Sequence, residues 1–494
     1  MINLHHQRSL KVTERFVTKL KGDNDMAKKP LGKDKFGVQK VMRGKDYFAD
    51  SLGQFALNSI SGLVGQLTYF YTDKVGMAAG AVATVFFICK IIDAFTDVIM
   101  GNIVDHTAPG KEKYRPWILK MAIPAAIIMV MLFTVPATAS DPVKIAYMFV
   151  TNFLLTAIIY TAIAIPYTSL QVVRTNSQEE RGKMGIWRAG AGYVSGMIIA
   201  IGVIPITNML GGDQSAWIKF GVAFALLIVL ALLICWKKAK ECAVDSSAEA
   251  VETVREEDDE EPVPFWEAIG NLFKNKYWVM TLVLGVMSNV SYGISGGSGA
   301  YYCKLIYGDD NLVGILGAVG LIPTILGFAA VGPMIKKLGV TKTLKVCFFL
   351  GMISTAVRIF NPTHFVFNTA MGCVASFANI PMMCLLGVLT AMAVDYNEYK
   401  YGKRMVGTSQ AASGFGGKIG SGLGASIVGW CLAAASYDGM SEVVTPAVQQ
   451  AVFSFGIYIP LLLFVVMFII SLKFDLEEKL PAMREEMEAR NTRA

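Results

Sequence analysis

The sequence predicts an all-α membrane protein of about twelve transmembrane helices, arranged as two pseudo-symmetric six-helix bundles. Its 494 residues are 54% hydrophobic and only 17% charged, with a mean hydropathy of +0.48, which excludes an ordinary soluble protein. The apolar residues form long runs of helical length, unlike the short alternating segments of a membrane barrel. Landmarks of the first half recur about 230 residues later, which indicates an internal repeat.

The apolar runs define the spans in chain order. In the first half we predict spans near 47–71, 77–104, 117–139, 142–172, 185–208 and 216–236. In the second half we predict spans near 277–303, 311–334, 343–360, 364–394, 406–436 and 450–473. They divide the chain into a basic tail (1–46), a six-helix bundle (47–236), a linker (237–276), a second six-helix bundle (277–473) and a last tail (474–494).

Basic residues predict the orientation. Lys and Arg cluster in both tails and after alternate spans, for example from Lys111 to Arg115 and from Lys237 to Lys240. The positive-inside rule therefore places both termini and the linker in the cytoplasm, in a multi-pass protein of the inner (plasma) membrane. The net charge of +7 follows from this topology, and we expect no nucleic-acid partner. We expect no cleavable signal peptide, since the first tail is polar, and we expect this tail to be disordered.

The linker is first acidic and then amphipathic. The acidic run from Arg255 to Glu261 predicts a solvated, flexible stretch. After it, apolar side chains recur at helical spacing, which predicts an amphipathic helix on the inner membrane surface or a simple connector. These side chains are Phe265, Trp266, Ile269, Leu272 and Phe273.

Charged side chains within span two indicate a site. Lys90, Asp93 and Asp97 are spaced i, i+3 and i+7, which puts them on one helix face. Charges at that depth are strongly disfavoured unless they are paired or hydrated, so we expect them to face a cavity between the halves. Two carboxylates with one Lys suit a cation or a proton; the alternative is a salt-bridge cluster that only joins helices. Thr96 and Thr161 can complete an oxygen shell for Na⁺.

Two further basic residues occupy equivalent places in the two halves. Arg188 enters span five and Lys418 lies inside span eleven, so both can point to one central cavity. We expect Asp93 or Asp97 to be the partner of Lys418 in the empty state, and solute oxygens to be the partner of Arg188. The alternative is that both residues form helix-packing ion pairs.

Five segments carry a resemblance to a known family. They are YFYTDKVGM (69–77), CKIIDAFTDVIMGNIVD (89–105), GKEKYRPWIL (110–119), YTAIAIPYTSL (160–170) and VDYNEYKYGKR (394–404). From span one to span twelve, the chain resembles the glycoside-pentoside-hexuronide:cation symporters, the melibiose permease branch of the major facilitator superfamily. The resemblance implies the major facilitator fold and symport, by alternating access, of a glycoside, pentoside or hexuronide with H⁺ or Na⁺. It implies no cofactor and no catalysis, and we expect a monomer in the lipid bilayer.

The resemblance also implies roles for single residues. The family's cation-site positions fall on Lys90, Asp93, Thr96, Asp97 and Thr161, with Asp93 and Asp97 as metal ligands if Na⁺ is the coupling ion. Its substrate-binding positions fall on Tyr160, Arg188, Lys418 and, allowing for a one-residue gap beside Leu57, on Asn58.

The chain departs from the family pattern at three positions. Ala164 stands where the family has a third acidic ligand, and Thr168 and Met383 stand where aromatic side chains pack on the sugar ring. With less negative charge to offset the desolvation of Na⁺, the site favours H⁺, and Na⁺ is the alternative.

Charged loop ends predict gates on the cytoplasmic side. The loop between spans two and three resembles the superfamily's inward gate, and the matching gate would come from the end of span ten and the start of span five. The residues concerned are Gly101, Asp105, Lys111, Lys113, Arg115, Arg181, Asp395, Glu398 and Arg404. The alternative is that they are solvated loop ends, since single surface ion pairs contribute little stability.

Two other functions stay open on the sequence. An efflux or lipid-moving relative would share the same fold. An integral-membrane enzyme could use Asp93 and Asp97 to bind Mg²⁺ and a diphosphate, but the two-half layout has no role in such an enzyme. We therefore favour the symporter.

Overall fold

The computed structural model describes residues 31–34, 38–105, 112–136, 138–175, 177–241, 265–401, 406–441 and 443–491. Within these ranges the chain forms helices joined by loops, with one isolated bridge between Lys33 and Gln39. The all-α class predicted from the apolar runs is confirmed.

The first half contains six spans, two of which include a π-helical segment that adds a residue to a turn. They are span one (Gly44–Tyr69, then Phe70–Lys74), span two (Ala79–Asp105), span three (Arg115–Phe133), span four (Asp141–Phe153, Leu154–Tyr160 and Thr161–Val173), span five (Gln178–Met209) and span six (Gln214–Lys238).

The second half repeats this arrangement, and span seven ends in a π-helical segment as span one does. Its spans are span seven (Lys276–Tyr302, then Cys303–Tyr307), span eight (Leu312–Val319 and Leu321–Leu338), span nine (Val340–Val357), span ten (Phe365–Tyr401), span eleven (Val406–Ala434) and span twelve (Pro446–Phe453, Ser454–Tyr458 and Ile459–Leu472). A linker helix (Phe265–Lys274) precedes span seven, and a C-terminal helix (Leu476–Asn491) follows span twelve.

Nine helices in the described ranges are long and apolar enough to cross a membrane. Spans one, two and eleven are not among them. These three spans carry Asp50, Asp93 with Asp97, and Lys418, and charged residues lower the hydropathy of a helix. These three spans therefore hold all the acidic side chains of the two charged clusters described below, together with Lys418.

Two spans extend beyond the apolar runs that predict them. Span five begins at Gln178 instead of near 185, because the Ser177 hydroxyl accepts a hydrogen bond from the Glu180 backbone N–H at 3.4 Å and caps the helix. Span ten continues to Tyr401 instead of ending near 394. The polar residues at these two ends belong to the helices, although hydropathy alone does not identify them as part of the spans.

The starts of spans one and seven and the end of span twelve lie on one side of the bundle, which we call the terminal side; the opposite side is the far side. Tyr277, at the start of span seven, donates to Asp475, after span twelve, at 2.5 Å. An even number of antiparallel spans returns the chain to the side on which it began.

The two halves meet through spans two and eleven, spans five and eight, and spans one and seven. Exchanging the halves turns span two into span eight and span five into span eleven, so the two larger contacts are equivalent under the pseudo-symmetry. Small residues permit the approach: a Cβ added to Gly317 of span eight would lie 2.9 Å from the Ala200 carbonyl oxygen of span five. Close packing of this kind is how helices associate in lipid.

A carboxylate caps the third span of each half. Glu241, after span six, accepts a hydrogen bond from the Arg115 backbone N–H at 2.7 Å. Glu477, after span twelve, accepts from the backbone N–H groups of Val340 and Thr341 at 2.7 and 2.6 Å. Burial alone would raise the pKa of Glu477, but the N–H groups of Thr341 and Val340 hold it below its usual value. The repeat therefore includes the helix caps as well as the spans.

Part of the first tail is ordered against the first half. We predicted a disordered tail over 1–46, whereas span one already begins at Gly44. The backbone N–H groups of Val41 and Met42 donate to the buried Glu180 carboxylate at 3.1 and 2.8 Å. For residues 38–46 the prediction is wrong, because a buried carboxylate requires hydrogen-bond donors and the tail supplies them. Residues 1–30 and the acidic run of the linker lie outside the described residues.

The helix predicted in the linker occupies Phe265–Lys274. Among its described side chains, Leu272 is fully buried whereas Phe273 is 57% exposed. Asn275 then ends the linker by accepting the backbone N–H groups of Tyr277 and Trp278, which caps span seven.

Candidate cation and solute site

Span two carries the predicted charged side chains at the middle of its length. Asp93 is only 2% exposed, while Asp97, one turn further on, is half-buried. Lys90 Nζ lies 3.3 Å from Asp93 Oδ2. Their helical spacing therefore produces one charged cluster.

Span four places a hydroxyl between the two carboxylates. Thr161 Oγ1 lies 3.3 Å from Asp93 Oδ1 and 3.0 Å from Asp97 Oδ1. Thr161 directly follows the π-helical segment of span four, and such segments frequently lie at functional sites. A hydroxyl has one hydrogen, so Thr161 can donate to only one of the carboxylates at a time.

Span eleven completes the cluster from the second half. Lys418 Nζ lies 2.5 Å from Asp97 Oδ2 and 3.2 Å from Asp93 Oδ1, so it bridges both carboxylates. The approach requires glycine, because a Cβ added to Gly422 would lie 2.6 Å from the Cβ of Lys90. The structure thus brings Lys418 to the partners that we expected for it.

The cluster has two carboxylates and two ammonium groups, so its formal charge is zero. Lys418 and Lys90 are 27% and 33% exposed, which leaves water access to both ammonium groups. A cation or a proton that binds Asp93 or Asp97 would compete with Lys418 for the same oxygens. Because Lys418 belongs to the second half, this competition changes a contact between the halves.

The carboxylate and hydroxyl oxygens are the ligand types that Na⁺ or another hard cation prefers. Thr96 donates its hydroxyl hydrogen to the Asp93 backbone carbonyl at 3.1 Å, which leaves its oxygen lone pairs available. The binding of a cation by Asp93, Thr96, Asp97 and Thr161 stays a prediction. Within the described residues no group of three or more His, Cys, Asp and Glu side chains could hold a metal ion.

A second charged cluster lies within the first half, around the fully buried Asp50 of span one. Arg188 donates to Asp50 from Nε at 2.7 Å and from Nη2 at 3.1 Å, and Arg174 donates from Nη1 at 2.7 Å. The guanidinium of Arg188 also covers the Tyr167 ring, 3.9 Å from its centroid. In the structure the partner of Arg188 is Asp50, because a buried guanidinium needs a carboxylate. The contact of Arg188 with solute oxygens stays a prediction.

Asp50 was not among the predicted site residues, although the sequence contains a signal for it. Asp50, Gln54 and Asn58 recur at i, i+4 and i+8 within an apolar run, which makes a polar stripe on one face of span one. Gln54 Nε2 donates to Asn58 Oδ1 at 2.7 Å, and the Asn58 amide lies against Gly192 of span five. The resemblance leaves a choice between Leu57 and Asn58, and Leu57 is 3% exposed in the apolar core. The contact of Asn58 with a solute stays a prediction.

Tyr160 is half-buried and directly precedes Thr161 of the cation cluster in the chain. Its contact with a solute stays a prediction.

On the terminal side, the predicted gate residues Arg115 and Arg181 contact their own half. Arg115 Nη1 pairs with Glu112 at 2.6 Å, and its Nε donates to the Trp236 carbonyl at 2.6 Å. Arg181 Nε donates to the Thr175 carbonyl at 3.0 Å. These contacts anchor loop ends within the first half.

The other predicted gate residues are less fully described. Asp395 and Glu398 are half-buried near the end of span ten, and a side chain at Gly101 would meet open space. The side chain of Asp105, together with Lys111 and Arg404, lies outside the described residues.

The far side has polar contacts between the halves that the sequence analysis did not predict. Asp73, at the end of span one, accepts hydrogen bonds from Lys304 of span seven and, at 2.6 Å, from the Tyr437 hydroxyl. Tyr69 donates to Asp310 at 2.6 Å. Asp73 and Lys304 are 231 residues apart and therefore occupy equivalent positions of the repeat. Their opposite charges at equivalent positions were a signal in the sequence from which this contact could have been predicted.

Similar sequences place the chain in a family. The family model described as MFS/sugar transport protein matches residues 51–478. The inner membrane symporter YicJ of Escherichia coli (strain K12) is 27% identical, over 88% of this chain and 92% of its own length. The putative glycoside/cation symporter YagG of the same organism is 26% identical, over 85% and 90%. The isoprimeverose transporter of Lactiplantibacillus pentosus is 26% identical, over 79% and 80%.

Solved structures agree on the fold. The crystal structure of the nucleoside transporter NupG is 13% identical, with a TM-score of 0.58 over 86% of this chain and 99% of that one. A bacterial homologue of the human lysosomal transporter Spinster, inward-facing and unoccupied, is 12% identical, with a TM-score of 0.59 over 90% and 98%. The predicted major facilitator fold and the resemblance to glycoside:cation symporters are confirmed. Matched from span one to the C-terminal helix, this chain belongs to the MFS/sugar transport protein family.

Proposed function

We propose that the chain is a secondary active transporter that moves a small glycoside-like solute together with a cation by alternating access. The observation that carries this proposal is the bridge from Lys418 of the second half to Asp93 and Asp97 of the first. A cation or proton at the carboxylates weakens their attraction for Lys418 and so shifts the balance between arrangements of the halves. An ion-dependent contact between the halves is what symport requires.

We propose that both termini are cytoplasmic, so that the terminal side is the inside of the cell. The positions of Lys and Arg support this orientation. The far side would then face outward, and the contacts of Asp73 with Lys304 and Tyr437 would close it. Asn208 adds a contact to Asp310 at 2.9 Å. These contacts support an inward-facing arrangement, from which a solute leaves to the cytoplasm.

The proposed solute is a glycoside, pentoside or hexuronide, taken up by a single chain in the cytoplasmic membrane. The printed names of the isoprimeverose transporter and of the glycoside/cation symporter YagG support this class. Asn58, Tyr160 and Lys418 offer polar groups to such a solute, and Arg188 would reach it while still paired with Asp50.

The proposed coupling ion is H⁺, with Na⁺ as the alternative. Lys418 and Lys90 already neutralise Asp93 and Asp97, and Ala164 adds no third carboxylate. A Na⁺ ion would meet a site with no net negative charge, whereas a proton needs only one carboxylate. Uptake should persist at fixed pH without Na⁺ and stop with a proton uncoupler. Uptake that requires Na⁺ and survives the uncoupler would contradict H⁺ coupling.

The transport proposal can be tested in membrane vesicles with three labelled probes: methyl β-D-xyloside, methyl β-D-glucoside and methyl β-D-glucuronide. The wild-type chain should accumulate at least one probe under an imposed gradient of H⁺ or Na⁺. Asp93→Asn and Asp97→Asn should abolish accumulation, because each removes a carboxylate that binds the ion, while exchange of the probe down its own gradient persists.

Asp141→Asn is the matched control, since Asp141 is an exposed carboxylate at the far-side end of span four. It should accumulate the probe like the wild-type chain. Undiminished accumulation in both Asp93 and Asp97 variants would overturn the coupling assignment. Movement of the probe only outward would indicate the efflux alternative.

A further inference from the structure

A basic residue without a carboxylate partner lies at the far-side end of span nine. Arg358 directly follows the last residue of that span and is half-buried. Its Nε donates to Asn368 Oδ1 of span ten at 2.6 Å. In the part of the chain that the structure describes, no carboxylate pairs with Arg358, and its Nη1 and Nη2 groups have no partner. Its charge therefore remains available to a ligand.

Two hydrogen bonds connect Arg358 to the end of span seven. A guanidinium N–H can only donate, so Asn368 presents its oxygen to Arg358 and its amino group to the Tyr307 hydroxyl, at 2.6 Å. The Tyr307 oxygen is therefore an acceptor, and its own hydrogen has no acceptor among the described residues. Asn368 is only 4% exposed, so it holds both partners in place.

The groups that stay free on Arg358 and Tyr307 are all hydrogen-bond donors: Nη1, Nη2 and one hydroxyl. Donors beside a fixed positive charge suit an anion that has several acceptor oxygens. The planar fork of arginine matches the oxygens of a phosphate in particular. A charge at the edge of a membrane is also disfavoured unless it is paired or hydrated. The chemistry of the donor set therefore points to a phosphate group.

Aromatic side chains surround these donors. The Tyr307 ring packs edge-on against Phe365 of span ten, with centroids 5.1 Å apart and an interplanar angle of 87°. It also lies 5.4 Å from the ring of Tyr302, whose hydroxyl donates to the Pro362 carbonyl at 2.8 Å. Tyrosines concentrate where the headgroups of a bilayer meet its acyl chains. The aromatic cluster therefore places Arg358 at the depth of the headgroups.

The flanks of Arg358 are apolar and exposed. Ile359, Phe360 and Val366 are 40%, 87% and 67% exposed. Span nine packs on spans eight, ten and twelve, which all belong to the second half, so Arg358 lies apart from the cation cluster between the halves. A phosphate ion in water would leave these apolar side chains uncovered, whereas the acyl chains of a phospholipid would cover them. The apolar flanks therefore favour a lipid as the source of the phosphate.

We propose that Arg358 and Tyr307 bind the headgroup phosphate of an anionic phospholipid, such as phosphatidylglycerol, in the far-side leaflet. The Nη groups and the hydroxyl donate to the phosphate oxygens, and the acyl chains lie along Ile359 and Phe360. An anionic headgroup is preferred because no protein carboxylate neutralises Arg358. The bound lipid joins spans seven, nine and ten, so it stabilises the second half without contacting the solute or the coupling ion.

The test titrates the purified full-length chain in detergent with phosphatidylglycerol and counts the bound lipids by native mass spectrometry. Arg358→Gln should weaken the tightest-bound lipid about tenfold, because it removes the charge and the fork while its amide can still donate to Asn368. Tyr307→Phe keeps the ring and removes one donor, so its loss should be smaller. Phosphatidylglycerol should also raise the thermal unfolding temperature of the wild-type chain more than that of Arg358→Gln.

Lys144→Gln is the matched control. It removes another half-buried far-side basic residue, near the start of span four in the first half, and should leave lipid binding unchanged. Inorganic phosphate should not displace the lipid; displacement that depends on Arg358 would show that the phosphate comes from water and would overturn the lipid site. Wild-type lipid affinity in both Arg358→Gln and Tyr307→Phe would also overturn it, and with a lower folded yield would leave Arg358 only a structural role.

Discussion

Among the described residues, two carboxylate clusters inside the bundle differ in their location and in the type and exposure of their basic partners. The Asp50 cluster lies within the first half, is fully buried and pairs one carboxylate with Arg188 and Arg174. The cluster of Asp93 and Asp97 lies between the halves and is paired with lysines that are 27% and 33% exposed. The first cluster therefore suits a permanent role and the second an exchangeable one.

The chemistry of the basic partners supports this distinction. Arginine presents a planar fork that binds a carboxylate through two hydrogen bonds and stays charged, as Arg188 does on Asp50. Lysine is a single flexible point charge, which can leave one carboxylate for another or for water. A transporter needs both kinds of cluster, one to keep a half rigid and one to respond to the ion.

The largest expected effect comes from breaking the buried cluster. Asp50→Asn removes the carboxylate and leaves two guanidinium groups buried, so we expect a loss of about 3–5 kcal/mol in the free energy of unfolding. Folded yield and thermal unfolding in detergent would measure it. Asp93→Asn, in the more exposed cluster, is the comparison and should keep most of its folded yield. Equal folded yields for Asp50→Asn and Asp93→Asn would contradict the assignment of a structural role to the first cluster and an exchangeable role to the second.

Lys418→Ala should damage transport more than folding. It removes the bridge between the halves, while Asp93 and Asp97 are left with water, Lys90 and Thr161 as neighbours. We expect ion-driven accumulation to fall at least about tenfold, because a coupling free energy of typical size between two sites corresponds to a change of that order. Uptake in vesicles, with Lys418→Arg as a variant that retains the charge, would measure it. Full accumulation by Lys418→Ala would show that the bridge only packs helices.

Arg188→Lys should have an intermediate effect on stability. Lysine keeps the charge but loses the second bond to Asp50 and the planar contact with Tyr167, so we expect a loss of about 1–3 kcal/mol. Thermal unfolding would measure this loss. Arg174→Lys should cost less, because Arg174 makes one bond to Asp50 and one to the Lys238 carbonyl, and among the described residues no ring contact comparable with that of Arg188 on Tyr167 is lost.

Measurements of solute binding and ion coupling distinguish a structural role of Arg188 from a role in binding the solute. If Arg188 also contacts the solute, Arg188→Lys should weaken solute binding more than ion coupling. Unchanged affinity together with a lower yield would leave only the structural role.

The smallest effect is expected at an exposed ion pair on the terminal side. Hydrogen bonds from Lys479 and then Tyr277 lower the pKa of Asp475 to about 2. Since the pKa is lower in the folded chain, the stabilisation is present above about pH 4, the ordinary Asp value, and is lost as pH falls towards about 2. Asp475 is 44% exposed, so we expect less than about 1 kcal/mol.

Thermal unfolding of Asp475→Asn and the wild-type chain should therefore differ slightly at neutral pH and converge in acid. A difference that grows as pH falls would have the wrong sign.

Much of the candidate site was predictable because it lies along one helix. The spacing of Lys90, Asp93 and Asp97 puts them on one face whatever the rest of the fold does. Asp50 was missed because its partners, Arg174 and Arg188, come from spans four and five, and helical periodicity gives no information on which spans are neighbours. The same reason explains why Arg188 was assigned to the solute before Asp50 was known to hold it.

The sequence alone determined the all-α membrane class, the order of the spans, the internal repeat and the charged face of span two, because hydropathy and helical spacing are local properties of the chain. The tertiary structure decided which charges meet. It joined Arg188 to Asp50, Lys418 to Asp93 and Asp97, and Asp73 to Lys304 on the far side. The physical reason is that the sequence of a single span shows which of its faces is polar and must avoid lipid. Which residue pairs with that face depends on how the other spans pack around it, and those spans lie far apart in sequence.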